Sequence, residues 1–436
     1  MRNKNAVKLS APVAFNFHRT VILSGLLFFL LVIVYTFLSI RYSHYFENLL
    51  YGNDFWFGGD LSRHIYWTID PDKSFRSHLH PVSFLLFKGL GWLLNSLNNL
   101  PEKLQIPVIT IPIIVYTSIF MVMSTKLIVS LTKFPVWIHV AVIAAFVFIG
   151  PTLVFAPVPE SHVLGGVSLL MQATLIWLWM QQEGNSQSNF DDLEKKGIVG
   201  GIIIFAFLAT GFTLSNLMPA IIMMLAIPVF RRTLIKIAIA VGVFLVLLLI
   251  IHKFIFNFPF ITRSVSNIMK ETAWLMLPHF NSIILSFKNL LLAQFGLSII
   301  PELQVWTSDS GIEYYIEQSG PSIFQGIAFI FWVGGIIWYT FRNEKRSYPN
   351  LTFFVFCALS LLSIIGFHSF YATGESFIFS AHAWPYVVLP GVITIRNSFL
   401  KKDYGLIIIL LTAVALSMVQ MTIGLDMLLK IQLPQV

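Results

Sequence analysis

The chain has 436 residues, 56% of them hydrophobic and only 11% charged, where a soluble globular chain carries roughly 25% charged residues. With a mean hydropathy of +0.79 and apolar residues gathered in long runs, the composition excludes a soluble enzyme, a disordered chain and a disulfide scaffold. It points to an integral membrane protein of many spans. The formal charge of +8 falls in short loops between apolar runs, which is a topology signal and no pointer to nucleic acid. The single cysteine, Cys357, lies within the apolar run FFVFCALSLLSII and can build neither an intrachain disulfide nor a thiolate metal site.

The first apolar run, residues 21–40, is flanked by Arg19 and Arg41. It is too long for a signal-peptide core and no small-residue cleavage motif follows, so it reads as an uncleaved anchor. Further runs fall near 107–129, 135–155, 162–181, 198–213, 217–230, 234–252, 321–341, 350–367, 381–396 and 404–425. Each is set against the ~20 apolar residues that a bilayer core requires. The run HPVSFLLFKGLGWLLNSL (80–97) is short and carries Lys88 at its middle. Charge decides its placement. If it lies flat at the membrane surface, alternate crossing puts 17 of the 28 Lys and Arg, but only 6 of the 20 Asp and Glu, on the side of the N-terminus. If it crosses, five consecutive basic loops fall on the wrong side. The expectation is an all-α polytopic membrane protein, a single membrane domain over residues 1–436. It has about eleven spans, the N-terminus in the cytoplasm and the C-terminus outside.

This topology leaves two long external segments, 41–106 and 253–320, both with Trp, Tyr and Phe among their charges. Amphipathic surface helices are expected in each, and loops of this length are usually functional. The first carries the densest chemistry: YGNDFWFGGDLSRHIYWTIDPDKSFRSHLHP (51–81) holds Asp54, Asp60, Asp70, Asp72, His64, His78, His80, Arg63, Lys73 and Arg76. Gly58-Gly59 makes a turn before Asp60. That residue either caps a helix beginning at Leu61 or stands as a carboxylate at the membrane face, able to take a proton from a hydroxyl. On such a helix Asp60, Arg63 and His64 share a face, as a polar cluster or as a solvated ion pair. Pro81 suits the first turn of the flat helix. None of the spacings is that of a zinc site. Asp54 and Asp60, six residues apart, leave a shared divalent metal open without the spacing that would signal one; no cofactor is indicated.

An aspartate after the first span, an aromatic-rich helix and a His-Pro opening a surface helix together resemble the GT-C glycosyltransferases. These are multi-span enzymes that take sugar from a polyprenyl-phosphate carrier, among them the protein O-mannosyltransferases and the aminoarabinose transferase of lipid A. The basic turn STKLIVSLTKF and the third span ending GPTLVFAPVPESHVL, with Glu160 leading the fourth span, resemble the family's proline-bearing external turn. ATGESFIFSAHAWPYVVLPGVI (372–393) is similar to its late segment. The resemblance runs in order through roughly the first 180 residues. It implies transfer with inversion, with Asp60 as the base that activates the acceptor hydroxyl. Where the family carries a second, adjacent acid, this chain has Leu61.

In the second external segment Arg263 and Lys270 lie seven apart. They suit the carrier phosphate, with Arg as a bidentate fork, or snorkelling to lipid headgroups. Further on, Trp306, Asp309, Glu313, Tyr314, Tyr315 and Glu317 suit a sugar or an ordinary wet interface. Glu160, Glu375 and His382 sit where external turns meet spans, with His162 close by. A carboxylate there is expensive unless it faces a cavity. The substrate-facing set expected beside Asp60 is therefore Arg63, His64, His80, Glu160, Arg263, Lys270, Glu375 and His382.

The function expected is transfer of a sugar from a polyprenyl-phosphate donor to an extracytoplasmic glycan or lipid acceptor, among membrane lipids. A bacterial inner membrane with a periplasmic active face is the expected setting. Competing readings are a lipid-linked glycan polymerase or ligase and a transporter or flippase. A transporter places paired charges or broken helices at mid-membrane, often in two repeated halves; here the charges lie in external loops and no repeat is visible.

Overall fold

The computed structural model describes residues 14–45, 80–95, 102–129, 134–183, 192–256, 290–300, 304–308, 311–316, 319–343, 348–370 and 379–431, with single positions 56, 284, 288 and 302. About 87% of the described residues are helical, in accord with the all-α membrane class. The helices of the first half are α1 (Ala14–Tyr42), α2 (Pro81–Asn95), α3 (Glu102–Val129), α4 (Val136–Phe148), α5 (Thr152–Phe155), α6 (Ser161–Glu183) and α7 (Asp192–Phe212). Then come α8 (Leu217–Met224), α9 (Pro228–Arg232), α10 (Leu234–Phe256), α11 (Ile323–Asn343), α12 (Tyr348–Phe370), α13 (Ser380–Leu400) and α14 (Tyr404–Leu429).

Among the described residues seven helices are long and apolar enough to cross a membrane: α1, α3, α6, α7, α11, α12 and α14. Two runs expected as single spans are broken. Near 135–155, Gly150 at φ 137° and Pro151 separate α4 from α5. A left-handed backbone followed by a residue without an N–H cannot continue a helix. Near 217–230 the helix stops at Met224, and Pro228 opens α9 at its first turn.

The run at 80–97 is a helix beginning at Pro81, as its sequence suggests. It packs on α7, where a Cβ at Gly211 would run into the Val82 side chain, and it buries Ser83, Phe84, Phe87 and Lys88. The Lys88 ammonium lies 5.2 Å from the centre of the Phe84 ring, a cation–π contact one helical turn back.

α1 shows how sequence sorts a helix between lipid and protein. Ile22, Leu26, Phe29, Ile33 and Phe37 are exposed, while Leu27, Leu31, Tyr35, Leu38 and Tyr42 are buried against α3. Both sets recur at three- and four-residue steps, so they form opposite faces of one helix. The two central helices read differently. The apolar stretch of α6 is wholly buried, as is α13 from Ser380 to Ser398, and they pack on each other. A Cβ at Gly166 of α6 would collide with the Ala381 carbonyl oxygen of α13. Pro385 has no N–H to bond that carbonyl within its own helix. Protein on all sides is what lets these two helices carry His162, Ser168, Gln172, His382 and Arg396.

The second long segment is not wholly surface helix. Gln304–Ser308 (β1) and Gly311–Tyr315 (β2) form an antiparallel hairpin with Trp306 opposite Glu313. Alternating QVWTS and GIEYY, two residues apart, favour paired strands. Upstream, residues 290–300 run buried between helix ends, with Gly296 at φ 126°. Three glutamines satisfy the irregular backbone there. Gln325 donates to Gly296 O (2.7 Å), Gln420 to Leu297 O (2.8 Å), and Gln294 to Leu290 O and Ser380 O (2.8 and 2.9 Å).

Candidate functional site

One end of the bundle gathers a buried carboxylate and four imidazoles. Its base is the turn before α6. Glu160 immediately precedes the helix, and its Oε1 accepts from the backbone N–H groups of Ser161 (2.7 Å) and His162 (3.2 Å). A carboxylate at a helix N-terminus satisfies donors that lack intrahelical partners and meets the positive end of the helix dipole. The same oxygen lies 2.6 Å from His162 Nδ1. Because Oε1 is already an acceptor for two backbone N–H groups, Nδ1 is the donor in this contact. Glu160 is fully buried and His162 nearly so.

Three more histidines close round this pair. His382, near the start of α13, stacks on His162 with ring centres 5.0 Å apart and planes at 19°. Its Nε2 is buried and has no hydrogen-bond partner among the described residues. His80, at the entrance of α2, sets its ring edge-on to His162 at 5.5 Å. His80 Nδ1 donates to Phe212 O (2.9 Å), which also accepts from Ser83 Oγ (3.1 Å). Phe212 ends α7, so these two side chains bond a carbonyl the helix itself leaves open, and they dock α2 there. Ser161 Oγ and Thr213 Oγ1 lie 3.3 and 3.5 Å from the same Nδ1. His368, in the last turn of α12, stacks on Phe379 at 3.5 Å, and Phe379 in turn meets the rings of His162 (5.7 Å) and His382 (6.0 Å).

The segment that follows α1 is anchored near the turn leading to Glu160. Trp56 Nε1 donates to Val154 O and Tyr42 Oη to Leu153 O, both at 3.3 Å. The Tyr42 and Trp56 rings are 4.9 Å apart, and Tyr45 Oη donates to Leu428 O at the end of α14. Trp56 thus sits on α5, the short helix that leads into Glu160, and Asp60 follows four residues later in the sequence.

Of the residues singled out from sequence, His80, Glu160 and His382 come together here. Asp60, Arg63, His64, Arg263, Lys270 and Glu375 lie outside the described residues. His162 and His368 complete the centre and were not in the expected set. His162 stands beside Glu160 in E-S-H, a visible signal. His368 sits in the apolar run SIIGFHSF, where it reads as an ordinary core residue. Among the described residues no group of three or more His, Cys, Asp or Glu is placed to hold a metal ion; the rings stack and meet edge-on rather than converge on a point.

No family model matches the chain, and neither a curated protein nor a solved structure does.

Proposed function

We propose that this chain is a membrane glycosyltransferase that moves a sugar from a polyprenyl-phosphate donor to an extracytoplasmic glycan or lipid acceptor, with inversion. One observation carries the reading. The His-Pro that opens α2, the proline-bearing turn at Glu160 and the late segment at His382 are far apart in sequence, and all three meet at one buried centre. These are the segments on which the resemblance to GT-C enzymes rests. Ionisable groups buried at the end of a membrane bundle mark a working site by default.

About eleven crossings with a cytoplasmic N-terminus put this histidine end outside and the Arg396 end inside. A bacterial inner membrane, with an active face on the periplasm and a surface glycan such as O-antigen as acceptor, is the setting proposed. The reaction requires a base for the acceptor hydroxyl and cations for the leaving phosphate. Asp60 is the base that the resemblance supplies, and Arg263, Lys270 and Arg63 are the phosphate-facing cations.

The test is release of polyprenyl phosphate by purified protein in lipid, across a panel of polyprenyl-phosphate sugars, for wild type and Asp60→Asn. Release by the wild type with at least one donor is expected. If Asp60 is the base, the Asn variant loses about 100-fold or more in rate while still binding donor. No release with any donor turns the reading toward a polymerase or a transporter.

A further inference from the structure

The histidine end holds a proton acceptor that the resemblance does not supply. His162 Nδ1 donates to Glu160 Oε1 at 2.6 Å, so the neutral imidazole carries its lone pair on Nε2. His80 is held the same way, with Nδ1 given to the Phe212 carbonyl at 2.9 Å. Parallel to His162, at 5.0 Å, lies His382 with a buried Nε2 that has no partner among the described residues. Capping α6 requires only the Glu160 carboxylate and two backbone N–H groups; it explains neither the imidazole on the carboxylate nor the ring stacked on that imidazole. A carboxylate that fixes the tautomer of a histidine, leaving the far nitrogen basic, is the arrangement of a general base with its positioning residue.

We infer that His162 takes the proton of the acceptor hydroxyl, that Glu160 positions it, and that His382 offers Nε2 to the same hydroxyl-bearing substrate. The inference rests on the transferase reading and moves the base from the loop aspartate to the bundle. In the step, the hydroxyl oxygen bonds to the anomeric carbon of the sugar and its proton passes to His162 Nε2. The bond from that carbon to the phosphate oxygen breaks, and its electron pair leaves with the polyprenyl phosphate. The imidazolium so formed faces the Glu160 carboxylate across the existing hydrogen bond.

The experiment uses full-length protein in lipid nanodiscs, polyprenyl-phosphate sugars as donors, and two probe acceptors, octyl glucoside and 4-nitrophenol. With octyl glucoside, H162Q is expected to lose about 100-fold or more in kcat with little change in donor KM, and E160Q roughly 10-fold or more. The acidic limb of the pH–rate profile, where a base is lost to protonation, disappears in H162Q. The nitrophenol hydroxyl ionises far more easily and needs less help from a base, so it recovers about 10-fold or more of the H162Q loss. A structural role lowers both acceptors alike.

H162Q activity close to wild type, or equal losses on the two acceptors, overturns the inference. The transferase reading then stands on the wild-type release. No release by the wild type with any donor overturns both. A second measurement needs no turnover: nitrogen-15 spectra of the imidazoles, with H162Q assigning the His162 signals, should show a protonated Nδ1 and a bare Nε2. A proton on Nε2 alone in the neutral ring overturns the inference by itself.

Discussion

At the end of the bundle opposite the histidines, Arg396 is buried in α13, and its contacts close on the fold itself. Its Nε donates to Ile128 O in the last turn of α3 (2.8 Å) and its Nη1 to Asn397 Oδ1 (2.7 Å). The guanidinium lies 5.2 Å from the Trp177 ring and 5.8 Å from that of Phe134. Nearby, Trp177 Nε1 and Gln181 Nε2 both donate to Asn350 Oδ1 (3.1 and 2.8 Å), tying α6 to α12. A cation on the carbonyl end of a helix is favourable capping, and the stacking adds cation–π attraction. At the histidine end the helices are tied as well, through Phe212 O and the Glu160 cap, yet the chemistry does not stop there. An imidazole stack remains, with a buried nitrogen on His382 that no described group bonds. Both ends bury polar groups between α6 and α13. The arginine end spends its charge on helix termini, whereas the histidine end keeps proton-carrying atoms that packing does not explain.

The strongest way to break this contrast is to disturb the histidine end without touching a histidine. Gly166→Val places side-chain atoms where the Ala381 carbonyl now lies, so α6 must move away from α13. His162 and His382 ride on those two helices and part with them. The expected result is a loss of about 1–3 kcal/mol in stability from overpacking, measured by thermal unfolding in detergent, together with a fall in donor turnover of more than about tenfold if His162 is the base. Wild-type turnover in a folded Gly166→Val protein would show that the stack has no catalytic part. At the other end, Arg396→Ala removes two hydrogen bonds and the stacking, and costs about 1–3 kcal/mol. Turnover per folded molecule should not change. Arg396→Lys keeps the charge but not the fork that serves Ile128 O and Asn397 together, so it should recover only part of the stability. A drop in turnover for either Arg396 variant would end the division of labour.

The sequence was a good guide to class and a partial guide to the site, for reasons that can be located. Long apolar runs at 11% charge can only be membrane helices, and Pro81 announced the first turn of α2. Glu160 and His382 stood out because polar groups at the edge of an apolar run are costly. E-S-H put Glu160 and His162 side by side in the sequence, but the spacing rule gave no reason to expect that their side chains meet. Residues two apart do not face each other on a helix, and these two meet only because Glu160 stands just before the helix and folds back on it. The hairpin at 304–315 was masked: its aromatic and charged content read as a surface helix, although its alternation has the period of a strand. Gly150-Pro151 marked the break between α4 and α5, but hydropathy averaged over a window runs straight through two residues.

A last and smaller test sharpens the structural side of the contrast. Asp403 has two functions at the arginine end. Its Oδ1 accepts from Leu406 N (3.4 Å), capping α14, and its Oδ2 pairs with Arg342 Nη1 (2.7 Å), joining α14 to α11. The Arg342 side chain is 59% exposed, so the ion pair is screened by water, and Arg342→Ala should cost no more than about 1 kcal/mol, less at high salt. Asp403→Ala loses the same pair and the cap, worth about 1 kcal/mol more. The double variant should then be no less stable than Asp403→Ala alone, because the pair is already gone. Thermal unfolding of the three proteins at low and high salt separates the contributions: salt should erase the cost of Arg342→Ala and leave most of the Asp403→Ala cost in place. A cost for Arg342→Ala that salt leaves untouched would mean that the arginine side chain acts by packing between α11 and α14 rather than by charge.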